Sequence, residues 1–245
     1  MPAPAQWTNA TIVGRTDWTS DLFSLQFAAP DLATFNAGQF VRLGLDIAGE
    51  RVGRAFSLVN APAQPPHEII AVRVAQGLFS PALHALQIGD SLQVMSAPAG
   101  FFTLDECPAA NTLWLIATGT GIGPYLSMLR APATWQKYRQ IILVHGTRTT
   151  SEQCYLPLLR TLSAQHPLRL VHLCSQEADK MRLTEALSQG LLEARAGAEI
   201  NTDCHLLLCG NPGMISEMQQ LLALRGLSKH RRRAPGQVTT EGYWT

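Results

Sequence analysis

The rhythm of hydrophobic and polar positions changes once along the chain, and the change divides it in two. Up to about residue 104 it reads as short strands: Ala10 to Val13, Leu22 to Phe27, Gln39 to Leu45, Ala55 to Val59, Ile69 to Val74 and Ser91 to Met95. Asp31, Gly38, Gly49, Pro62, Pro65 and Gly89-Asp90 punctuate them with turn chemistry, which predicts an antiparallel β-barrel or sandwich with one helix over Ser80 to Leu86. After Thr112 apolar strands (Leu113 to Ala117, Ile141 to Val144, Leu168 to Leu173, His205 to Cys209) alternate with helical segments at Tyr125 to Arg130, Glu152 to Gln165, Thr184 to Glu193 and Met214 to Arg225. Thr150 and Gln153 have the spacing of a capping box before the second helix. This alternation predicts a doubly wound parallel α/β sheet. The boundary falls between Phe102 and Asn111, where Pro108 and two alanines form a linker, giving domains 1–105 and 106–245.

Composition agrees with a globular fold: 46% of the 245 residues are hydrophobic and 15% charged, enough for a well-buried core. The net charge of +1 draws the chain neither to nucleic acid nor to membrane, so an electrostatic partner requires a local patch. The N-terminus lacks a basic segment leading into an apolar core, and no apolar run nears the roughly 18 residues of a membrane span, so a cytoplasmic location is expected. Cys107, Cys154, Cys174, Cys204 and Cys209 are odd in number and widely spaced, which argues against disulfides and metal sites; four are expected to be core thiols.

Candidate chemistry centres on Thr112 to Pro124, a both-faces-buried strand running into Gly119, Gly121, Gly123 and Pro124. Strand, tight turn and helix start in that order bring free N–H groups together, a setting for a diphosphate. The spacing is not that of the common dinucleotide fingerprint, and a glycine-rich strand end can simply turn the chain. Arg54-Ala55-Phe56-Ser57 offers a cation, an aromatic face and a hydroxyl; alternation puts Arg54 and Phe56 on one face, and an ordinary hairpin edge reads the same way. Gly77 to Leu83 reads as a turn into a helix with Ser80 as N-cap and Pro81 at the first helical position, either a second diphosphate site or a plain capped helix. Cys209-Gly210-Asn211-Pro212 ends the last strand of the expected sheet and opens a helix; taken alone, its cysteine is a core thiol. Lys229-His230-Arg231-Arg232-Arg233 is the densest basic run, and a solvated helix end would look the same.

Taken jointly, these segments, with Ala37-Gly38-Gln39-Phe40, Gly49-Glu50-Arg51, Gly89-Asp90, Gly100-Phe101-Phe102 and the tail from Lys229 to Trp244, resemble the bacterial ferredoxin/flavodoxin–NADP reductases within the ferredoxin reductase-like flavoproteins. The resemblance covers nearly the whole chain. It implies an FAD-binding barrel, an NADP-binding α/β domain and a flavin lying between them. Arg54 would meet the FAD diphosphate, Phe56 pack on the isoalloxazine and Ser57 hydrogen-bond near its N5. Ala55 and Val72 are counted among the FAD positions, while Leu78, Phe79 and Ser80 would offer backbone groups and Thr120 would approach the flavin. Phe56 departs from the family's usual tyrosine, which removes one hydrogen bond and keeps the stacking. Tyr243 and Trp244 would dock on FAD. Cys209 would sit beside nicotinamide C4, and Glu241 matches a carboxylate near the active site, so Ser57, Cys209 and Glu241 are the candidate catalytic residues.

Gly119, Gly121, Gly123, Gly210 and Asn211 would hold NADP along the glycine turns. Thr147, Arg148, Ser175, Gln176 and Arg182 would surround the adenosine end, with Lys180 as a further cation. After the second strand of the α/β half, His145-Gly146-Thr147-Arg148 supplies an arginine and no carboxylate, which favours the 2′-phosphate of NADPH. Gln176 stands where relatives often have a second arginine. Lys229, Arg231, Arg232 and Arg233 would dock an acidic ferredoxin or flavodoxin, and the chain would act as a monomer. Alternatives are an NADH-linked flavin or oxygenase reductase component and a flavin-bearing electron-transfer subunit without nicotinamide turnover.

Overall fold

The computed structural model describes residues 5–177 and 180–243 and forms two compact units, 5–103 with 123–131 and 104–122 with the remainder. Trp244, expected to dock on FAD, lies outside the described residues.

In the first unit, β1 (Trp7–Asp17), β2 (Leu22–Ala28), β3 (Phe40–Ile47), β4 (Glu50–Ser57), β5 (His67–Val72) and β6 (Ser91–Met95) form one antiparallel sheet in the order β4-β3-β6-β1-β2-β5. The sheet curves into a half-barrel whose end strands β4 and β5 touch. Alternation fixes its register: Phe23, Leu25 and Phe27 of β2 point inward with Val41 and Leu43 of β3, and Phe79 and Leu83 of α1 (Phe79–Ala85) pack on the same core. Segment 123–131 carries α2 (Gly123–Arg130), anchored on buried polar groups. Ser127 Oγ donates to the Asn60 carbonyl at 2.7 Å, and Arg130 pairs with the buried Glu68 at 3.0 Å. Asn60 Oδ1 in turn accepts the Glu68 N–H.

The second unit holds β7 (Thr112–Thr118), α3 (Thr134–Lys137), β8 (Gln140–Thr147), α4 (Leu156–Gln165), β9 (Leu168–Cys174), α5 (Leu183–Ser188), α6 (Leu191–Ala196), β10 (Cys204–Gly210), α7 (Pro212–Leu224) and β11 (Val238–Gly242). Its five strands are parallel in the order β11-β10-β7-β8-β9. Trp114, Ile116, Ile142, Val144, Leu206 and Leu208 form one face with residues of α5, α6 and α7, burial of the kind that makes parallel strands read as unbroken apolar runs. An antiparallel sheet followed by a parallel α/β sheet is the architecture expected from the sequence.

Local details differ. The helix expected over 152–165 starts only at Leu156, with Pro157 in its first turn and Tyr155 before it at φ +59°. Thr150 and Gln153 therefore form no capping box; Thr150–Glu152 is a 3₁₀ turn whose Glu152 accepts the Arg148 N–H. The helix expected over 184–193 breaks into α5 and α6 at Gly190, where φ is +71°. Ser80 is not an N-cap: α1 begins one residue earlier, and Ser80 Oγ accepts the Val74 N–H at 2.9 Å. Nor is β10 the last strand, because Val238–Gly242 adds β11 at the sheet edge. All five cysteines are buried thiols, Cys209 included, and no helix among the described residues is long and apolar enough to cross a membrane.

Candidate functional site

Strand order in the second unit reverses between β7 and β10: the chain leaves β7 towards β8 and β9, then returns to β10 and β11 on the other side. At such a switch point the turns leaving two neighbouring strands diverge and open a crevice at their carboxyl ends. Here the two turns touch. A Cβ on Gly121 would lie 2.6 Å from the Cys209 carbonyl oxygen, and one on Gly210, at φ +124°, would lie 2.3 Å from Thr118 Oγ1. The same Thr118 hydroxyl accepts the Asn211 N–H at 2.9 Å, while Asn211 Oδ1 accepts the Met214 N–H at 3.1 Å and caps the thirteen-residue α7. Gly119 takes φ +53°, and a Cβ there would meet no described atom within 4 Å, so the loop presents bare backbone outward. Beneath it, His145 Nε2 lies 2.9 Å from the Gly119 carbonyl oxygen.

Cys209 is fully buried at the end of β10, in register with Glu241 on β11. Burial pushes its thiol well up, the Glu241 carboxylate adds to the shift, and a hydrogen bond from the Tyr243 side chain opposes it. The sulfur is therefore a neutral thiol. Tyr243 also donates its N–H to the Gly210 carbonyl at 2.8 Å, which brings Cys209, Gly210, Asn211, Glu241 and Tyr243 together with Gly119, Thr120 and Gly121.

The ends of β8 and β9 form a second cluster. Ser175 N–H donates to the Thr147 carbonyl and Gln176 N–H to that of Arg148, so Thr147, Arg148, Ser175 and Gln176 converge. The sequence shows no carboxylate directly after β8, but the fold supplies one. Glu152 accepts Arg148 Nε at 2.9 Å and Nη2 at 2.6 Å, while the Arg148 side chain stays 66% exposed. The Nε–Nη2 edge of the guanidinium is thus occupied by Glu152. Arg182 is exposed at the start of α5.

In the first unit, register puts Arg54 and Phe56 on the face they share with Leu43 and Val41, as alternation predicts. Phe56 is half-buried with its ring 5.8 Å from that of Phe79, Arg54 and Ala55 are exposed, and Ser57 is buried. Leu78, just before α1, is 70% exposed, and Val72 ends β5 opposite Leu22. A guanidinium, a ring and an exposed apolar side chain beside a short turn fit a diphosphate-bearing aromatic cofactor such as FAD. Gly123 belongs to this unit, where a Cβ would lie 3.3 Å from Ile70 and 3.8 Å from Ser57.

Sequence reasoning missed Thr118, His145 and Glu152. Each is a side chain whose partner is backbone or lies across a turn, and none has a motif of its own. In the basic run, Arg232 is bound by Glu106 at 2.6 and 2.8 Å, leaving Lys229, Arg231 and Arg233 as its other exposed cations.

Residues 9–103 match the oxidoreductase FAD-binding domain model and residues 115–220 the oxidoreductase NAD-binding domain model. The flavodoxin/ferredoxin–NADP reductase of Escherichia coli (strain K12) is 44% identical over 248 residues, covering 98% of this chain and 100% of its own. The ferredoxin–NADP reductase of Pseudomonas aeruginosa is 30% identical over 238 residues, covering 91% and 92%. The crystal structure of a ferredoxin NADP+ reductase from Neisseria gonorrhoeae with bound FAD and NADP superposes with a TM-score of 0.93 at 28% identity, over 98% of this chain and 99% of that one.

Proposed function

We propose, for a chain that belongs to the bacterial flavodoxin/ferredoxin–NADP reductase family and is an FAD- and NADP-binding oxidoreductase, that it exchanges electrons between NADPH and a small acidic carrier, ferredoxin or flavodoxin. FAD, when bound, supplies the chemistry: it accepts two electrons together, as hydride from nicotinamide C4 to flavin N5, and can release them singly.

The side chains divide the remaining work. In the first unit Arg54 would neutralise the FAD diphosphate, Phe56 would pack on the ring system, Ser57 would serve its reacting edge, and Ala55, Val72 and the backbone of Leu78, Phe79 and Ser80 would complete the seat. In the second unit Gly119, Thr120, Gly121 and the Asn211-capped start of α7 would hold the NADP diphosphate. Cys209, fully buried at the end of β10, would support the nicotinamide end from beneath as a packed neutral thiol, since a thiol held this far above its ordinary range is no nucleophile. Glu241 is the nearby carboxylate. Tyr243 would cover that end. Lys229, Arg231 and Arg233 would face the carrier, with Arg232 contributing less because Glu106 already holds it.

The observation that carries the coenzyme assignment is Arg148. Its guanidinium is fixed along one edge by Glu152 and largely exposed, and its backbone carbonyl accepts the Gln176 N–H where the ends of β8 and β9 meet, the region in which the adenosine ribose of a dinucleotide falls. A fork fixed in this way matches a 2′-phosphate. The Glu152 carboxylate lowers the net positive charge there, so the preference for NADPH is real but moderated.

The deciding experiment measures anaerobic reduction of the bound flavin by NADPH and by NADH, then turnover with flavodoxin and with ferredoxin. Faster reduction by NADPH with electrons reaching a carrier supports the reading. Preference for NADH without carrier reduction identifies an NADH-linked reductase component instead.

A further inference from the structure

We propose that His145 is a positioning residue for the coenzyme loop: its imidazole N–H fixes the Gly119 carbonyl and thereby aims the loop's next amide at the dinucleotide diphosphate. The inference rests on the NADP reading above. His145 occupies the central strand pair, opposite Ala117 of β7 and His172 of β9, and is fully buried. Its Nε2 lies 2.9 Å from the Gly119 oxygen. A carbonyl can only accept, so Nε2 must carry the proton. Nδ1 is then left with a lone pair and, among the described residues, no partner. The His172 ring stands edge-on at 6.4 Å, and its own Nδ1 is also unpartnered. Leucine would fill this space without burying an unsatisfied nitrogen, so packing alone does not account for an imidazole here.

The geometry of the peptide unit shows what the bond does. In a planar trans peptide the C=O and the following N–H point in opposite directions, so drawing the Gly119 carbonyl inward turns the Thr120 N–H outward. Gly119 is the residue that needs such fixing, because at φ +53° its glycine backbone is the freest in the loop. Burial lowers the imidazole's pKa to about 4, so the neutral form that donates from Nε2 is retained across the physiological range.

The test uses the FAD-loaded enzyme and calorimetric titration with NADP+ and with 2′-AMP, which lacks the diphosphate. His145→Leu removes the donor and His145→Gln keeps one. NADP+ should bind about tenfold more weakly to the leucine variant, 2′-AMP should stay within about twofold, and glutamine should recover most of the loss. An unchanged NADP+ affinity, equal losses with both ligands, or failure of glutamine to recover binding would overturn the proposal. Should the leucine variant not fold, the histidine ¹⁵N spectrum of the unaltered enzyme decides: an Nε2–H tautomer supports the proposal and an Nδ1–H tautomer contradicts it. If the unaltered enzyme binds 2′-AMP no better than 5′-AMP, the NADP reading fails, and NAD+ in place of NADP+ still tests His145.

Discussion

At the carboxyl ends of β7 and β10 the turns are locked by uncharged groups and close backbone packing: Thr118 Oγ1 on the Asn211 N–H, the buried His145 on the Gly119 carbonyl, and Gly121 against the Cys209 backbone. At the ends of β8 and β9 the corresponding work falls to charges near the surface, with Arg148 on Glu152 and Glu177 accepting the Thr150 N–H. In the proposed reading the inner seat would face the parts of the coenzyme that every nicotinamide dinucleotide shares, whereas the outer rim would face the 2′-phosphate that distinguishes NADPH. On that reading, backbone geometry would set where the chemistry occurs. An exposed ion pair, which contributes little to folding, would be open to adjust the choice of coenzyme.

The largest expected effect breaks the inner seat with acid. His145, held near pKa 4 by burial against about 6.5 in the unfolded chain, binds its proton more readily when unfolded. Its contribution to stability is therefore complete above about pH 6.5 and is lost as pH falls toward 4, by ~3 kcal/mol. His205, also lowered to about 4 chiefly by burial, acts in the same direction. Denaturant midpoints measured at pH 7 and pH 5 should fall with acid, and His145→Gln should flatten the decline.

A smaller effect tests the inner contact sterically. Gly121→Ala places a Cβ 2.6 Å from a backbone oxygen that cannot yield as a side-chain end would. Overpacking of this kind costs about 1–3 kcal/mol, so kcat/KM for NADPH and for NADH should fall together by roughly ten- to a hundredfold. A fall confined to NADPH would erase the distinction between seat and rim.

The smallest concerns the basic run. Arg231→Glu with Arg233→Glu should slow electron delivery to flavodoxin by about tenfold at low salt and leave ferricyanide reduction intact. Arg232→Glu should do less, because Arg232 already serves Glu106. Equal effects from the two changes would show that the Glu106 pair does not withhold Arg232 from the carrier.

The inner seat was legible in the sequence because glycines record backbone demands directly. Gly119, Gly121 and Gly210 mark the two turns, and the apolar runs before them mark β7 and β10. The division into an antiparallel and a parallel sheet was legible for the same reason. Strand β11 was not, because Val238-Thr-Thr-Glu-Gly is short and polar and pairs along one side only; in the fold His205 Nε2, 2.9 Å from Thr239 Oγ1, helps to hold it. Ser80 has the chemistry of an N-cap, yet its hydroxyl serves the Val74 N–H while the helix begins at Phe79. Glu152 was hidden because its contact with Arg148 crosses a 3₁₀ turn whose sequence has the spacing of a helix start.

The division between seat and rim is tested most directly by kcat/KM for NADPH and NADH in the unaltered enzyme and in Arg148→Ala. One charged hydrogen-bonding partner contributes about 1.5–3 kcal/mol, so the substitution should lower the NADPH value roughly ten- to a hundredfold and leave the NADH value within about twofold. An unaltered enzyme that favours NADH, or an Arg148→Ala variant that loses both coenzymes equally, would contradict the account.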